Sequence, residues 1–168
     1  MLKEKDIKTL TPEIFTVFHE GTPLLTAGDR TGHNAMTIGW AQLGTLWSCP
    51  VCTVYVRPQR HTFGFINNAD YFTVSCFSGE YHKQLMYCGT KSGRDTDKLA
   101  DCGFTVDYAD GDAPYIEQAE LVLVCRKLYE QDLKQEHFVD AETDARCYPQ
   151  HDYHRMYIGE VVRVLEKA

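Results

Sequence analysis

The stretch from Asn34 to Arg60, NAMTIGWAQLGTLWSCPVCTVYVRPQR, constrains this chain most. Read as a strand, its first part has two unequal faces, with Met36, Ile38 and Trp40 on one and Ala35, Thr37, Gly39 and Ala41 on the other. The second face is almost bare, and a bare strand face lets a flat ligand or another backbone approach closely. At its far end Arg57 and Arg60 flank Pro58, and His61 and Thr62 lead into the apolar run Phe63, Phe65 and Ile66. The pattern reads as a planar ligand laid along a strand, with its anionic end held at the next turn.

The rest of the chain supplies short strands and shorter helices. Residues 1–13 are polar and are expected at the edge of the fold. The runs 14–19 and 23–27 read as a hairpin, followed by a turn-rich loop at Gly28–Gly32. Val51 to Arg57 alternates and is rich in β-branched residues, so it reads as a strand that Pro58 stops. Arg60 to Asn68 reads as a short helix, Tyr71 to Phe77 as a strand, and Ser78 to Gly89 as a helix with serine before it and glycine at its end. Ser92 and Asp95 have the spacing of a capping box opening a helix that closes at Gly103. Leu121–Arg126, Gln135–Val139 and Arg155–Leu165 read as strands, with AETDARCYPQHDYH as a polar loop between the last two. Many short strands punctuated by turns favour one mainly β, antiparallel barrel or sandwich over residues 1–168.

Several function classes fall away. The hydrophobic share of 43% fits a folded globule, and no segment reaches the apolar length of a membrane span. The start MLKEKDIK does not read as a signal peptide, which points to the cytoplasm. A net charge of -7 disfavours nucleic acid or an anionic membrane as partner, so any small anion must be held locally. There is no GxGxxG after a strand and no GxxxxGK[ST], which excludes a Rossmann or P-loop cradle.

The residues Asn34, Met36, Thr37, Gly39 and Trp40, then Trp47 and Pro50, then Tyr55-Val56-Arg57-Pro58 and Arg60-His61-Thr62, resemble the flavin reductase-like family, in particular its flavoredoxin branch. GTKSGRDTDK from Gly89 to Lys98 and HRMYIGEV from His154 to Val161 resemble two later blocks of that family, in the same order. The resemblance implies an antiparallel Greek-key split β-barrel with a few short peripheral helices. It further implies FMN as cofactor, NADH or NADPH as donor, free flavin, an oxygenase or another protein as acceptor, and a homodimer with the flavin near the interface. Asn34, Met36, Thr37, Ile38, Gly39 and Trp40 would line the flavin ring. Thr53, Arg57, Arg60 and Thr62 would hold ribityl and phosphate, with Lys91 and Ser92 adding to the phosphate site from this subunit or its partner. His154 is the candidate catalytic residue, positioned to help place the nicotinamide. A non-catalytic FMN-binding electron carrier or redox sensor, reduced by another protein, is the alternative.

Two other clusters receive plainer readings. Cys49 and Cys52 form a CxxC beside a strand with no second pair, and seven cysteines are best read as reduced structural thiols. Cys147, His151 and His154 have ligand-like spacings in one loop, but no metal is expected there.

Overall fold

The computed structural model describes residues 2–6, 18 and 21–167. Its strands are β1 (Leu2–Lys5), β2 (Leu24–Asp29), β3 (Gly32–Thr37), β4 (Ala41–Leu46), β5 (Cys49–Val56), β6 (Tyr71–Cys76), β7 (Val106–Tyr108), β8 (Pro114–Ile116), β9 (Leu121–Asp132) and β10 (Arg155–Lys167). The helices are α1 (Thr62–Asn68), α2 (His82–Thr90), α3 (Lys98–Asp101) and α4 (Ala141–Cys147). No helix among the described residues is long and apolar enough to cross a membrane.

An antiparallel sheet runs in the order β3-β2-β6-β9-β10-β5-β4. β5 and β6 are consecutive strands yet lie on opposite sides of the β9–β10 pair, a Greek-key crossing that makes this a mainly β split barrel with short marginal helices. β10 is the strand that splits. Its first half pairs with β5, from Arg155 opposite Val56 to Glu160 opposite Val51, and its last residues pair with β1. β9 lies along its whole length, with register shifts at Ile158/Gly159 and Val161/Arg163 that bend it. Gly159 stands at the first shift, where a Cβ would lie 2.7 Å from Phe72 Cε1 and 2.8 Å from Cys125 Cβ.

The alternation of β2 and β3 divides the core in two. Leu25, Ala27 and Met36 face the main cluster with Val54, Phe72 and Tyr157, while Leu24 and Ala35 face a second cluster with Leu85, Cys88, Leu99 and Phe104. Each fully buried leucine among them contributes about 1.5–3 kcal/mol relative to exposure. α1 is fastened to the sheet by polar bonds. Lys127 Nζ donates to the carbonyls of Ile66 and Asn67 at 2.9 Å each, and Tyr157 Oη donates to Asn67 Oδ1 at 2.6 Å. Those bonds cap the helix C-terminus and fix the turn at Arg60 and Thr62 that precedes it.

The strands expected at 51–57, 71–77 and 155–165 are present, as are the helices at 60–68 and 78–89. The hairpin expected from 14–19 lies almost wholly outside the described residues. Four expectations are corrected. The strand expected at Gln135–Val139 is a single 3-10 turn, Gln135–His137. The polar loop after it contains α4, whose N-terminus is capped by Asp140 accepting from the backbone N–H groups of Glu142 and Thr143. Ser92 opens no helix: its Oγ accepts from Arg94 N in a local turn, and α3 begins only after Asp97, which accepts from Ala100 N. The bare face is open to a ligand only at its far end, where Thr37 and Gly39 line a compartment, and is closed at Ala35. Ala35 is fully buried beneath α2, and a Cβ on Gly89 would collide with Thr37 Oγ1, so a helix backbone has taken the close approach.

Candidate functional site

The chain leaves the sheet between β3 and β4, and Ile38, Gly39 and Trp40 cross the barrel mouth outside any strand. Ile38 N donates to Pro23 O, which pins this crossing, and a Cβ on Gly39 would meet nothing within 4 Å. Here a compartment of about 270 Å³ is lined by Met36, Thr37, Ile38, Gly39, Trp40, Tyr55, Arg57, Arg60 and His154. β5 delivers Tyr55 and Arg57 because both lie past Val54, the last residue that β4 covers.

One wall of this compartment is a tight aromatic and ionic cluster. The Trp40 and His154 rings lie 4.7 Å apart, and Tyr148 Oη is 2.8 Å from His154 Nδ1. Burial, then the Arg57 guanidinium, push His154 down to about 4, so its imidazole is neutral near pH 7. Arg57 donates to Asp152 Oδ2 and, at 3.0 Å, to Cys147 O, and its guanidinium lies over the Tyr148 ring at 5.4 Å. Gln59 Nε2 donates to the same Asp152 oxygen at 2.7 Å. Burial opposes charge on Asp152, but the bonds from Gln59 and Arg57 outweigh it and hold the carboxyl below its usual range.

A second compartment of about 140 Å³ adjoins the first and shares Met36 and Arg60 with it. It is lined by Asn34, Thr62, Ser92 and Gly93 among the cations Arg60, Lys91, Arg94 and Lys98, with no carboxylate in the lining. Asn34 Nδ2 donates to Thr62 Oγ1 at 2.7 Å, leaving the Thr62 hydroxyl hydrogen free to donate elsewhere. Arg60 Nη2 donates to Gly89 O at 3.2 Å, and Arg94 Nη1 to Gln59 O at 3.2 Å. Lys98 is 4% exposed and donates to Cys88 O at 2.8 Å and Lys91 O at 3.1 Å. Burial lowers its pKa, and burial with the Arg94 and Lys98 charges lowers that of His61. Concentrated positive charge in a pocket this small suits a phosphate-sized anion.

The structure thus gathers Asn34, Met36, Thr37, Ile38, Gly39, Trp40, Arg57, Arg60, Thr62, Lys91, Ser92 and His154 around one two-part cleft of a single chain. Thr53 is the exception: it is buried between Gln42 of β4 and Ile158 of β10 and lines neither compartment. Arg57 belongs to the aromatic compartment, with its charge met by Asp152, and not to the cationic one. Sequence reasoning missed Tyr55, Tyr148, Asp152, Arg94 and Lys98. The last two stand in the GTKSGRDTDK block and were legible as extra cations, whereas nothing local marks Asp152 as the partner of Arg57.

The cysteine clusters resolve geometrically. Cys49 and Cys52, three apart on a strand, point to opposite faces, with Cys52 buried in the core. Among the described residues no three His, Cys, Asp or Glu side chains are gathered as a metal would require.

A mainly antiparallel split barrel with an aromatic and a cationic compartment at its mouth defines the structural class. Residues 15–168 match the flavin reductase like domain, and the chain belongs to that family. Its structure is similar to flavoredoxin from Methanosarcina acetivorans, with 25% identity and a TM-score of 0.67 over 86% of this chain and 67% of that one. Flavoredoxin of Desulfovibrio vulgaris (Miyazaki F) aligns at 22% identity and a TM-score of 0.66, over 98% of this chain and 77% of the other. A Shewanella frigidimarina NCIMB 400 protein with a split barrel domain aligns at 19% identity and a TM-score of 0.65, over 94% and 75%. No curated protein sequence matches this one.

Proposed function

We propose that the cleft holds FMN and that the protein is an FMN-dependent oxidoreductase, taking electrons from NADH or NADPH and passing them to free flavin or a protein acceptor. The observation that carries this reading is the junction of the two compartments at Met36 and Arg60. A flat ring bearing an anionic tail needs that arrangement, and a lining with four cations and no carboxylate fits a phosphate monoester. FMN supplies the redox chemistry, accepting two electrons from a nicotinamide and releasing them to a second acceptor.

The residues of this chain then bind, orient and shield. Arg60, Lys91, Arg94 and Lys98 neutralise the phosphate, and the Thr62 and Ser92 hydroxyls offer hydrogen bonds to it. The backbone at Thr37–Gly39, where β3 ends and Ile38 N is taken by Pro23 O, stands in the lining and would meet the polar edge of the ring. Trp40 and the neutral imidazole of His154 form the outer wall against which a nicotinamide would be placed. Tyr148 holds the His154 ring, while Asp152 and Gln59 hold Arg57. We further propose a homodimer. β4 is an edge strand of the described sheet, and beside it Leu46 and the 57% exposed Trp47 continue onto exposed Tyr129, whose ring is 6.1 Å from that of Trp47.

The test is an anaerobic stopped-flow trace of FMN-loaded protein mixed with NADH and, separately, with NADPH. Rapid loss of the oxidised flavin band with either donor is expected. Full retention of that band with both, with FMN demonstrably bound, refutes the reductase and leaves an FMN electron carrier. Arg60→Ala should weaken FMN binding by at least about tenfold, from loss of a charge-assisted contact. His154→Ala should keep FMN and slow its reduction.

A further inference from the structure

All seven cysteines are free thiols, but their settings differ. Cys52 and Cys125 are sealed in the main core, beyond the reach of a reagent. Cys88 and Cys102 combine contact with access. Cys88 Sγ, in the last turn of α2, lies 3.8 Å from Sγ of Cys102, the residue that closes α3, and Cys102 is only half-buried. The segment between them, residues 89–101, carries Lys91, Ser92, Gly93, Arg94 and Lys98 of the cationic compartment. The Cys88 side of the sulfur pair is bonded into that compartment. The Cys88 carbonyl accepts from buried Lys98, and the next carbonyl, that of Gly89, accepts from Arg60.

We propose that Cys88 and Cys102 form a thiol–disulfide exchange site, whose substrate is a low-molecular-weight disulfide of the glutathione type and whose product is an intramolecular disulfide across the base of the cation-bearing loop. The accessible Cys102 thiolate attacks one sulfur of the reagent, the reagent S–S bond breaks, and one thiolate leaves. Cys88 then attacks the Cys102 sulfur of the mixed disulfide and expels the second thiolate. The two protein thiols lose two electrons and two protons, and the reagent disulfide gains both as two thiols. The new bond brings the sulfurs from 3.8 Å to about 2.0 Å. That contraction moves the last turn of α2, and with it the carbonyls that Lys98 and Arg60 hold.

Burial raises Cys88 to about 12 and raises Cys102 as well, so the exchange is slow at neutral pH and accelerates with alkalinity. The charged and titratable groups facing the pair are Lys98 and Asp101 from α3 and Tyr87 from α2, with Arg60 beyond Lys98. Lys98 opposes the rise at both sulfurs, and Asp101 adds to it at Cys102.

The test treats the full chain with oxidised glutathione at pH 7, 8 and 9 and maps its thiols by peptide mass spectrometry. The expected product is a Cys88–Cys102 cross-linked peptide lacking two hydrogens, formed about tenfold faster for each pH unit. Cys88→Ser should stop at a glutathione adduct on Cys102. A wild-type protein that keeps both thiols, or keeps a stable adduct on Cys102, overturns the proposal. Coupling to the cofactor rests on the proposed FMN reading. Fluorescence titration with FMN should show at least about threefold weaker binding to the cross-linked form. Equal affinity overturns the coupling, whereas reduced protein that binds no FMN refutes the flavin reading and leaves the cross-link result standing.

Discussion

Gly93→Ala places a methyl group where the structure has no room for one. The new Cβ would lie 2.9 Å from Asn34 Cγ, closer still to Asn34 Oδ1, and 3.2 Å from His61 Cδ2. Real Cβ contacts essentially never fall below 3.0 Å, so the Asn34 side chain must leave its place. It then loses its 2.7 Å bond to Thr62 Oγ1, and both of those residues are buried. Overpacking of this kind costs about 1–3 kcal/mol, and the broken buried bond adds about 0.5–1.5 kcal/mol. The expected loss is therefore about 1.5–4.5 kcal/mol of unfolding free energy, read as a lower urea midpoint at unchanged slope. FMN binding should weaken with it, because Asn34 and Thr62 line the cationic compartment. The decisive control is the same change in an Asn34→Ala background, where the clash partner is gone and only the His61 contact remains. There the added cost should fall below about 1 kcal/mol. An undiminished cost in that background refutes the argument.

Gly159→Ala meets Phe72 Cε1, Cys125 Cβ and Phe72 Cζ between 2.7 and 2.8 Å and should lower stability by about 1–3 kcal/mol, with Phe72→Leu restoring part of it in the same urea assay. His154 gives stability a pH dependence of definite sign. Its folded pKa, about 4, lies below the ordinary 6.5, so in that window the unfolded chain binds a proton that the folded one refuses. Its contribution is complete above 6.5, declines as pH falls and is gone below about 4. Urea midpoints at pH 7 and 5 should therefore differ less in His154→Gln than in the parent, and equal differences would count against the neutral imidazole.

The parts legible in the sequence were those whose signal is local. β5 alternates, α1 follows a proline, and the Arg60-His61-Thr62 turn sits where both place it. β4 escaped because AQLGTL lies at an edge, mostly exposed, and only Ala41 and Leu43 lean on the core, too short an alternation to announce a strand. α4 escaped because AETDARC buries none of its residues, so only the Asp140 cap announces it. The bare face was seen and assigned to a ligand along its whole length, whereas Thr37 and Gly39 line the compartment and Ala35 lies under α2, a division that no sequence rule marks. Thr53 shows the same limit: it shares a side of β5 with Tyr55 and Arg57 but lies deeper, under β4. Arg57 was chosen for its charge, yet its partner Asp152 lies 95 positions away. Pairing at that range is set by the folded barrel and by nothing in the neighbouring residues.

β10 is translated after every strand it joins. Until it emerges, one edge each of β5 and β9 is uncovered, β1 lacks its partner among the described strands, and Arg155 to Glu160 cannot bring β5 alongside β9. Such long-range pairing makes a barrel of this kind slow to close. The nascent chain waits with unpaired strand edges exposed, the state in which β proteins aggregate. A ribosome stalled before Arg155 should therefore display an open sheet, and the cleft mouth with His154 takes shape only as the last strand docks.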